Sequence, residues 1–355
     1  MAKIMKLLDS HPTVKSVLKL FTRTWIICTT ILVSLGITAI IVLVFVGISL
    51  DQDSRHIYGD EYSGNKLLSI KIAGTIVGDD DDVAGLSPDE GLVSGYAVKQ
   101  RLYEAAEDES IKGVVLELNS PGGTIYGARA ITDGVQHYRD STDKPIIAYI
   151  QGYGTSGAYW AAASTDEVVA DYGSDVGGIG IIMGPFKFYD KVLEDGDGVV
   201  TQNGVQHLII SAGKSKDAGS PYRKLTAEEI NVMQQSVNND YAEFVSFIAK
   251  RRGIEVDVIK NKLGAMAYDN KTAQEYKLID GSGGREDAYH RLAAKAKLGE
   301  DFDVIRPTVL AEVQNRDSLK MVFTRQPKPM ARQSVSCTAG IRSLAYYGDI
   351  TRFCQ

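Results

Sequence analysis

The chain is poor in cysteine, with only Cys28, Cys337 and Cys354 among 355 residues. That number excludes a disulfide framework, and the spacing is not that of a zinc site. One bridge between Cys337 and Cys354 and two free thiols remain equal alternatives. The acidic stretch DDDDVAGLSPDEG lacks the spacing and the glycine of an EF-hand loop. We therefore expect a solvated acidic loop there, and neither a metal nor a cofactor in the protein.

Acidic residues outnumber basic residues outside the N-terminus. The net charge is −6, but residues 1–24 hold five basic residues against one acidic residue, so their +4 leaves −10 on the rest. An acidic body argues against nucleic acid as a partner, because surfaces that bind phosphates are rich in lysine and arginine. The apolar content of 44% and the charged content of 24% are those of a folded protein.

One long uncharged run extends from Trp25 to Leu50. As a helix it would be about 39 Å long, enough to cross a hydrocarbon core of about 30 Å. A core helix seldom needs so many apolar residues, and a signal peptide has a shorter apolar region with a small-residue cleavage site. We expect residues 25–50 to form one transmembrane helix. Because basic residues precede it and acidic residues follow it, residues 1–24 are expected in the cytoplasm and the body outside the cell membrane.

The body alternates between strand and helix patterns. The segments KLLSIKIAGTIVG, KGVVLELNS, KPIIAYIQG, EVVADY and GGIGIIMG have the composition of strands. Helices predicted between them, about every 30 residues, indicate an α/β fold with parallel strands. A long amphipathic helix is predicted after Pro221, with Thr226 and Glu229 as its capping box and Gly253 at its end. Its apolar stripe belongs to the core or to a subunit interface.

Two glycine-lined turns, NSPGGTIYGA over residues 119–128 and GYGTSGAYW over 152–160, each follow a buried strand and open a helix. Glycine permits backbone paths that leave N–H groups bare toward a ligand, and a helix N-terminus favours negative charge. Such donors can stabilise the oxyanion of acyl transfer, each contributing roughly 3–4 kcal/mol. Ser156 lies in the second turn and is the candidate nucleophile. A tight turn without a ligand is the alternative for either motif.

Histidine is rare, with five residues in the chain and none in the Ser156 motif. His207 and His290 follow Ser156, as the base of a Ser-His-Asp enzyme with a nucleophile elbow would, but neither has a motif around it. The segment IISAGKSKDAGSPYRKLT over residues 209–226 offers lysines instead. A lysine serves as a general base when burial makes its neutral form available, which the small residues around it would allow. A solvated loop with two surface lysines is the alternative.

These blocks resemble the signal peptide peptidase A family, membrane-anchored serine proteases with a Ser-Lys dyad. The resemblance runs from about Lys66 to Ala288 and rests on five blocks in order, LELNSPGG, GTSGAYWAAASTDEVVA, GGIGIIM, SAGKSKDAGSP and AYDNKTAQEYKLID. It implies that Ser156 is the nucleophile and Lys216 the general base. It also implies that the N–H groups of Gly123 and Gly157 form the oxyanion hole.

The resemblance further implies a crotonase-like spiral of ββα units, shared with the Clp protease. On this basis we divide the chain into a linker over residues 51–65, a peptidase domain over 66–300 and a tail of unassigned role over 301–355. A half-length family member with one catalytic region would form a homo-oligomer whose neighbouring subunits help to build each site. The substrates would be remnant signal peptides or other membrane-derived peptides.

Two positions depart from the family pattern. Ala158 replaces a glycine, which would narrow the substrate groove. Gly178 stands where a family serine hydrogen-bonds the catalytic lysine, so Ser211, Ser215 or a water molecule would orient Lys216 instead. If nothing replaces that contact, the chain would be an inactive relative that binds peptides as a membrane-bound scaffold. A third alternative, an acyl-thioester enzyme, conflicts with an extracytoplasmic site that has no supply of coenzyme A.

Overall fold

The computed structural model describes residues 12–50, 54–79, 91–184, 186, 212, 214–220, 223–307 and 344–346. The chain divides into two compact units. One comprises Met1–Arg55 with Pro307–Phe323, and the other comprises His56–Arg306 with Thr324–Gln355. Several predictions concern positions outside the described residues, namely the acidic loop over 80–90, most of the tail, His207, Ser211, Cys337 and Cys354.

The first unit contains helix α1 (Pro12–Leu50), which includes the whole predicted transmembrane segment. Its stretch Leu20–Ile40 has a mean hydropathy of 1.6, and none of it is buried within the protein. The hydroxyl groups of Thr24, Thr30 and Thr38 donate to carbonyl oxygens four residues earlier, which satisfies them without water. By length and composition, this helix can cross a membrane.

The remaining described elements, in chain order, are β1 (Ser54–Gly59), β2 (Lys66–Ala73), β3 (Thr75–Val77), β4 (Leu92–Ser94), α2 (Gly95–Glu107), β5 (Ile111–Ser120), β6 (Gly122–Thr124), α3 (Ile125–Ser141), β7 (Ile146–Thr155), α4 (Gly157–Ala162), β8 (Glu167–Ala170), β9 (Asp175–Gly177), α5 (Ala227–Arg252), a π-helical turn (Val258–Leu263), β10 (Ala267–Tyr268), α6 (Asn270–Glu275), β11 (Gly281–Ser282), α7 (Arg285–Lys295), β12 (Asp303–Pro307) and β13 (Leu344–Tyr346).

The larger sheet has the strand order β1-β12-β2-β5-β7-β8-β11, with β9 beside the end of β7 and β10 beside β9. Its central strands β2, β5, β7 and β8 are parallel. Alternate residues of a strand face opposite sides of a sheet, and the core follows that alternation. Val114 and Leu116 pack with α2, α3, α4 and α5 on one face, whereas Val115 packs with α7 on the other. The predicted α/β class with parallel strands is confirmed.

The smaller sheet has the order β13-β6-β3-β4. Gly122 and Gly123, which were predicted to lie in a turn, instead belong to strand β6, because β3 pairs with Gly123 and β13 pairs with both. Helix α3 therefore starts only at Ile125, where the Thr124 hydroxyl accepts the N–H of Gly127 at 3.2 Å. On the other side of β6, strand β13 of the C-terminal tail runs antiparallel to it.

The prediction of a strand over GGIGIIMG is wrong. Strand β9 ends at Gly177, and residues 178–181 have irregular backbone. The φ angles of Gly177 and Gly178 are 115° and 63°, which turn the chain away from an extended path. The bend brings the carbonyl groups of Gly177 and Gly180 within hydrogen-bond reach of Ser156.

Helix α5 is the predicted amphipathic helix, and its ends are as predicted. Thr226 and Glu229 form the capping box, and Gly253 ends the helix in the left-handed conformation. The apolar stripe is buried only at its C-terminal end, where Phe244 packs in the core. Ile230, near the N-terminal end, is 50% exposed. The first half of α5 therefore presents apolar side chains that nothing covers among the described residues.

Glu117 on β5 is a buried carboxylate on the α7 side of the sheet. It accepts hydrogen bonds from Ser69 at 2.7 Å, Tyr289 at 2.6 Å and Arg306 at 2.7 Å. Burial alone raises the pKa of Glu117, but the bonds from Tyr289 and Ser69 and the charge of Arg306 outweigh it, so the pKa lies below its usual value. The network joins β2, β5, β12 and α7 near the end of β5.

We expect Glu117→Gln to reduce the free energy of unfolding by roughly 3 kcal/mol at neutral pH, because it leaves the partly buried Arg306 guanidinium without its carboxylate partner. Since the pKa of Glu117 is lowered in the folded state, its contribution is full above the ordinary value of 4.5 and is lost as the pH falls through the folded pKa. Thermal unfolding of the wild-type and Glu117→Gln proteins at neutral pH and at about pH 3 measures this difference in stability. A stability difference that does not shrink in acid would contradict the assignment.

Candidate active site

The two glycine-rich segments lie side by side at one edge of the larger sheet. Strands β5 and β7 are parallel neighbours, and Ser120 at the end of β5 pairs with Gly154 near the end of β7. The carboxyl ends of parallel strands meet at one edge of a sheet, so the segments that follow them are brought together. Strand β6, which holds Gly123, contacts helix α4, which starts at Gly157 immediately after Ser156.

Ser156 has a strained backbone, with φ 55° and ψ −121°. Residues other than glycine avoid positive φ, and holding one there costs on the order of 1–3 kcal/mol. Two hydrogen bonds hold it, since its N–H donates to Gly177 at 2.7 Å and its carbonyl accepts from Trp160 at 2.9 Å. A nucleophile elbow presents its serine on a sharp strand-to-helix turn of this kind, and such strain clusters at active sites.

The Ser156 hydroxyl has little to hold it. It donates to the Gly180 carbonyl at 3.4 Å, a long distance for an O–H···O bond, and does not cap helix α4. The residue is only 1% exposed. The site therefore contains a buried hydroxyl that can donate to a stronger acceptor.

Gly123 occupies a place where two backbones approach closely. A Cβ at this position would lie 1.9 Å from the Ile76 carbonyl oxygen of β3, so only glycine fits. On the other side of Gly123, Ala345 of β13 lies opposite in the antiparallel register. The backbone of β13 also lies next to α4. An extended segment of the tail thus runs along β6 beside the Ser156 helix, which the weak patterning of the tail did not predict.

His290, one alternative base, lies in α7 on the opposite side of the larger sheet from α4. Its Nε2 is 3.0 Å from the Tyr58 hydroxyl, and its Nδ1 is 3.6 Å from a Glu300 oxygen. The other alternative, His207, is outside the described residues. Within the described part of the chain, the position of His290 favours a base other than histidine.

Lys216 lies in a series of turns over residues 214–220 that precedes α5, and it is exposed. No hydrogen bond among the described residues joins it to Ser156. Ser215, a predicted lysine-orienting residue, has a left-handed backbone with φ 63°. Its hydroxyl helps to lower the pKa of the Glu229 carboxylate. The structure therefore packs the strand that holds Gly123 against the helix that follows Ser156. Among the described residues, it shows no hydrogen bond between Lys216 and Ser156.

Helix α5 connects the two predicted catalytic segments. Trp160, one turn after Ser156, stacks on Phe244 of α5 with ring centroids 4.2 Å apart and an interplanar angle of 4°. Glu229, which is linked to the turn that bears Lys216 through Arg223, precedes Phe244 by about 22 Å along the helix axis. The lysine segment is thus attached to the end of α5 that is distant from the packing contact with α4.

The ion pairs that Arg223 forms with Asp217 and Glu229 near Lys216 were not predicted from the sequence. Glu229 had been predicted only as part of the capping box. The Arg223 guanidinium donates to both oxygens of Asp217 at 2.8 Å and to both oxygens of Glu229 at 2.8 and 2.9 Å. Ion-pair partners separated by a loop leave no periodic signal in a sequence. The only indication was the position of these residues around the KD and SP pairs.

Comparison with known proteins finds peptidases that are similar to this chain. Residues 139–299, which include Ser156 and Lys216, match the profile of peptidase family S49. A protein assigned as a protease in Methanocaldococcus jannaschii is 31% identical over 239 residues, which cover 67% of this chain and 73% of that protein. A protein assigned as signal peptide peptidase SppA in Enterococcus faecium is 32% identical over 198 residues, covering 56% and 55%. Protease 4 of Salmonella typhi is 26% identical over 228 residues, covering 63% and 35%.

The matched region contains the end of β7, the strained serine and the lysine segment. The chain spans about half of the Enterococcus protein and a third of the Salmonella protein. The Methanocaldococcus relative is matched over most of its own length. This chain therefore belongs to peptidase family S49, the signal peptide peptidase A family.

Proposed function

We propose that the protein is a membrane-anchored, extracytoplasmic serine endopeptidase in which Ser156 is the nucleophile and Lys216 of a neighbouring copy is the general base. The observation that carries the proposal is the strained backbone of Ser156, which holds a buried hydroxyl next to the glycine strand β6. Strain at a residue other than glycine persists only where the surroundings impose it.

In the proposed reaction, the Ser156 oxygen attacks the carbonyl carbon of a peptide while its proton passes to the Lys216 amine. The N–H groups of Gly123 and Gly157 stabilise the oxyanion that forms. The C–N bond then breaks, the Lys216 ammonium returns the proton to the leaving amine, and an ester remains on Ser156. A water molecule, deprotonated by Lys216, hydrolyses the ester and releases the acid and the free serine.

The burial of Ser156 and the exposure of Lys216 support a homo-oligomer in which the general base comes from a second copy of the chain. Ser156 is buried and Lys216 is exposed, without a described contact between them. The first half of α5, next to Lys216, exposes Ile230 by 50% and Val232 by 65%. Covering these side chains with a second copy would also take the Lys216 amine out of water, and desolvation favours the neutral form of a lysine.

Strand β13 supports an extended peptide as the substrate. A peptide in the same place would form main-chain hydrogen bonds with β6 and run past the Ser156 helix, as in strand addition to a sheet edge. Ile182 and Phe186, which follow the Gly180 carbonyl, are each 39% exposed and offer apolar contacts. Remnant signal peptides and other membrane-derived peptides carry the apolar side chains that such a surface would bind.

We expect a chain that ends at residue 343 to have a KM for an apolar peptide about tenfold lower than the full chain, because a tethered strand competes at high effective concentration. A chain that ends at residue 346 is the matched control, since it keeps β13 and should retain the original KM. Steady-state cleavage by the detergent-solubilised proteins measures the effect. Equal KM values for all three chains would show that β13 does not occupy the peptide site.

The anchor and the fold complete the proposal. Helix α1 supports a membrane span over residues 25–50. Residues 1–24 would then lie in the cytoplasm and the rest of the chain outside it. The outer part comprises a linker over 51–65, a peptidase domain over 66–300 and a tail over 301–355. The succession β5-β6-α3 supports a spiral of ββα units of the crotonase and Clp-protease type.

A fluorophosphonate reagent tests the proposal on the full-length, detergent-solubilised protein. We expect one adduct, located on Ser156 by mass spectrometry of the digested chain.

The second candidate function is an inactive scaffold that binds peptides. Gly178 favours it, because the left-handed backbone there, with φ 63°, suits glycine where the family has a lysine-orienting serine. If the protein binds peptides but forms no adduct on Ser156, the peptidase proposal is rejected and the scaffold is the supported function.

A further inference from the structure

Arg223 ties the turn that bears Lys216 to helix α5, beside an exposed ion pair between Lys214 and Glu228. Arg223 forms a two-pronged pair with Asp217 and a second two-pronged pair with Glu229. Paired forks of this kind fix orientation as well as distance, because the guanidinium and the carboxylate must be coplanar. Asp217 directly follows Lys216, and Glu229 lies in the first turn of α5, so Arg223 joins the neighbour of the lysine to the helix.

Glu229 is a fixed point for this attachment. Its side chain is 5% exposed and accepts the N–H of Thr226 at 2.8 Å as part of the capping box. The Ser215 hydroxyl also helps to lower the pKa of this carboxylate. Asp217, which directly follows Lys216, is held to Glu229 through Arg223. Hydrogen bonds from Arg223 hold the pKa values of Asp217 and Glu229 below their usual ranges, so both remain ionised at neutral pH.

Lys216 itself is exposed and makes no hydrogen bond to the described residues. A flexible side chain of four carbons loses much rotational freedom when it must meet one hydroxyl, and an exposed loop would add the freedom of its backbone to that cost. A fixed turn removes the backbone part. The left-handed φ of 63° at Ser215 is a further sign that the local path is imposed by its contacts.

We infer that Arg223 is a positioning residue, which together with Asp217 and Glu229 forms a clamp that holds the Lys216 turn on the end of α5 and so aims the amine at the site it serves. The inference rests on the proposed function, in which Lys216 is the general base. It adds that the base depends on a charged clamp built from the loop and the helix cap. Neither Arg223 nor Asp217 contacts the peptide or the reacting atoms.

Replacing Arg223 in the full-length protein tests this inference. We expect Arg223→Met to lower kcat for peptide cleavage by about a hundredfold, as a misplaced catalytic group does, and to leave KM within about twofold. Arg223→Lys should recover part of kcat, because an ammonium can pair with a carboxylate but cannot form two forks. The matched control is Arg139→Met, which breaks a comparably exposed ion pair with Asp166 and should leave kcat unchanged.

Mixed oligomers assign the defect to the base. Arg223→Met chains, whose serine is intact, should recover cleavage when mixed with Ser156→Ala chains and should not recover it with Lys216→Ala chains. A kcat equal to that of the Arg139→Met control, or recovery with Lys216→Ala chains, would overturn the clamp. If Arg223→Met does not fold, Asp217→Asn serves instead, because it leaves the Arg223–Glu229 pair and the helix cap in place.

The two levels of the proposal fail in different ways. Cleavage by Lys216→Ala at the original rate would contradict both the proposed Ser-Lys mechanism and the clamp. An inactive Lys216→Ala beside a normal Arg223→Met would remove the clamp alone and leave the Ser-Lys peptidase intact.

Discussion

Ser156→Ala and Lys216→Ala are each expected to lower kcat for peptide cleavage by at least about a thousandfold. Members of a catalytic dyad act as a unit, so the loss of either one removes nearly all of the chemical step. Neither change should affect folding, because alanine at position 156 keeps the backbone contacts to Gly177 and Trp160, and Lys216 is exposed. Cleavage of an apolar fluorogenic peptide by the detergent-solubilised protein, together with thermal unfolding, measures both effects.

His290→Ala is the control for these variants. It removes the contact with Tyr58 on the far side of the larger sheet and should leave kcat unchanged. His207→Ala should behave in the same way. A histidine whose removal abolishes cleavage, or a Lys216→Ala protein that cleaves at the original rate, would replace the Ser-Lys dyad by another catalytic arrangement.

Oligomers assembled from equal amounts of Ser156→Ala and Lys216→Ala chains are expected to regain about one quarter of the original activity. Each site in the proposal combines a serine from one copy with a lysine from the next, and half of each kind is intact in the mixture. If both residues came from one chain, no site in the mixture would be complete, and activity would stay at background. Co-expression of the two variants with different tags, followed by two-step purification, provides the mixed oligomer.

The matched control is the wild-type chain mixed with the double variant Ser156→Ala/Lys216→Ala. Sites shared between copies would again leave about one quarter of the activity, whereas self-sufficient chains would leave about one half. The two mixtures together therefore distinguish a shared site from poor subunit exchange. Poor exchange would prevent recovery of activity in the first mixture but would leave one half of the activity in the second.

The local features of the fold were predictable because their causes are local. The capping box of Thr226 and Glu229 and the glycine stop at Gly253 are set within one or two turns of helix, and the structure confirms them. The parallel α/β core followed from strand-like segments alternating with helical ones. What failed was the strand over GGIGIIMG, since its composition suits a strand but cannot reveal the positive φ angles of Gly177 and Gly178.

The candidate site was predictable only in part. Glycine context identified the neighbourhood of Ser156, but the strain in its backbone arises from a contact with Gly177 that no local pattern encodes. Pairing of β13 with β6 joins residues more than two hundred positions apart and depends on the complete fold. The Arg223 pairs combine a loop with a helix cap, so they become visible only when both are built.

The distance from the Ser156 Oγ to the nearest Lys216 Nζ in an experimentally solved, assembled oligomer tests the central proposal most directly. We expect the amine of a neighbouring copy within about 3 Å of the hydroxyl, the separation of a nucleophile from its base. An assembly in which every Lys216 amine lies in open solvent, beyond the reach of every Ser156, would contradict it.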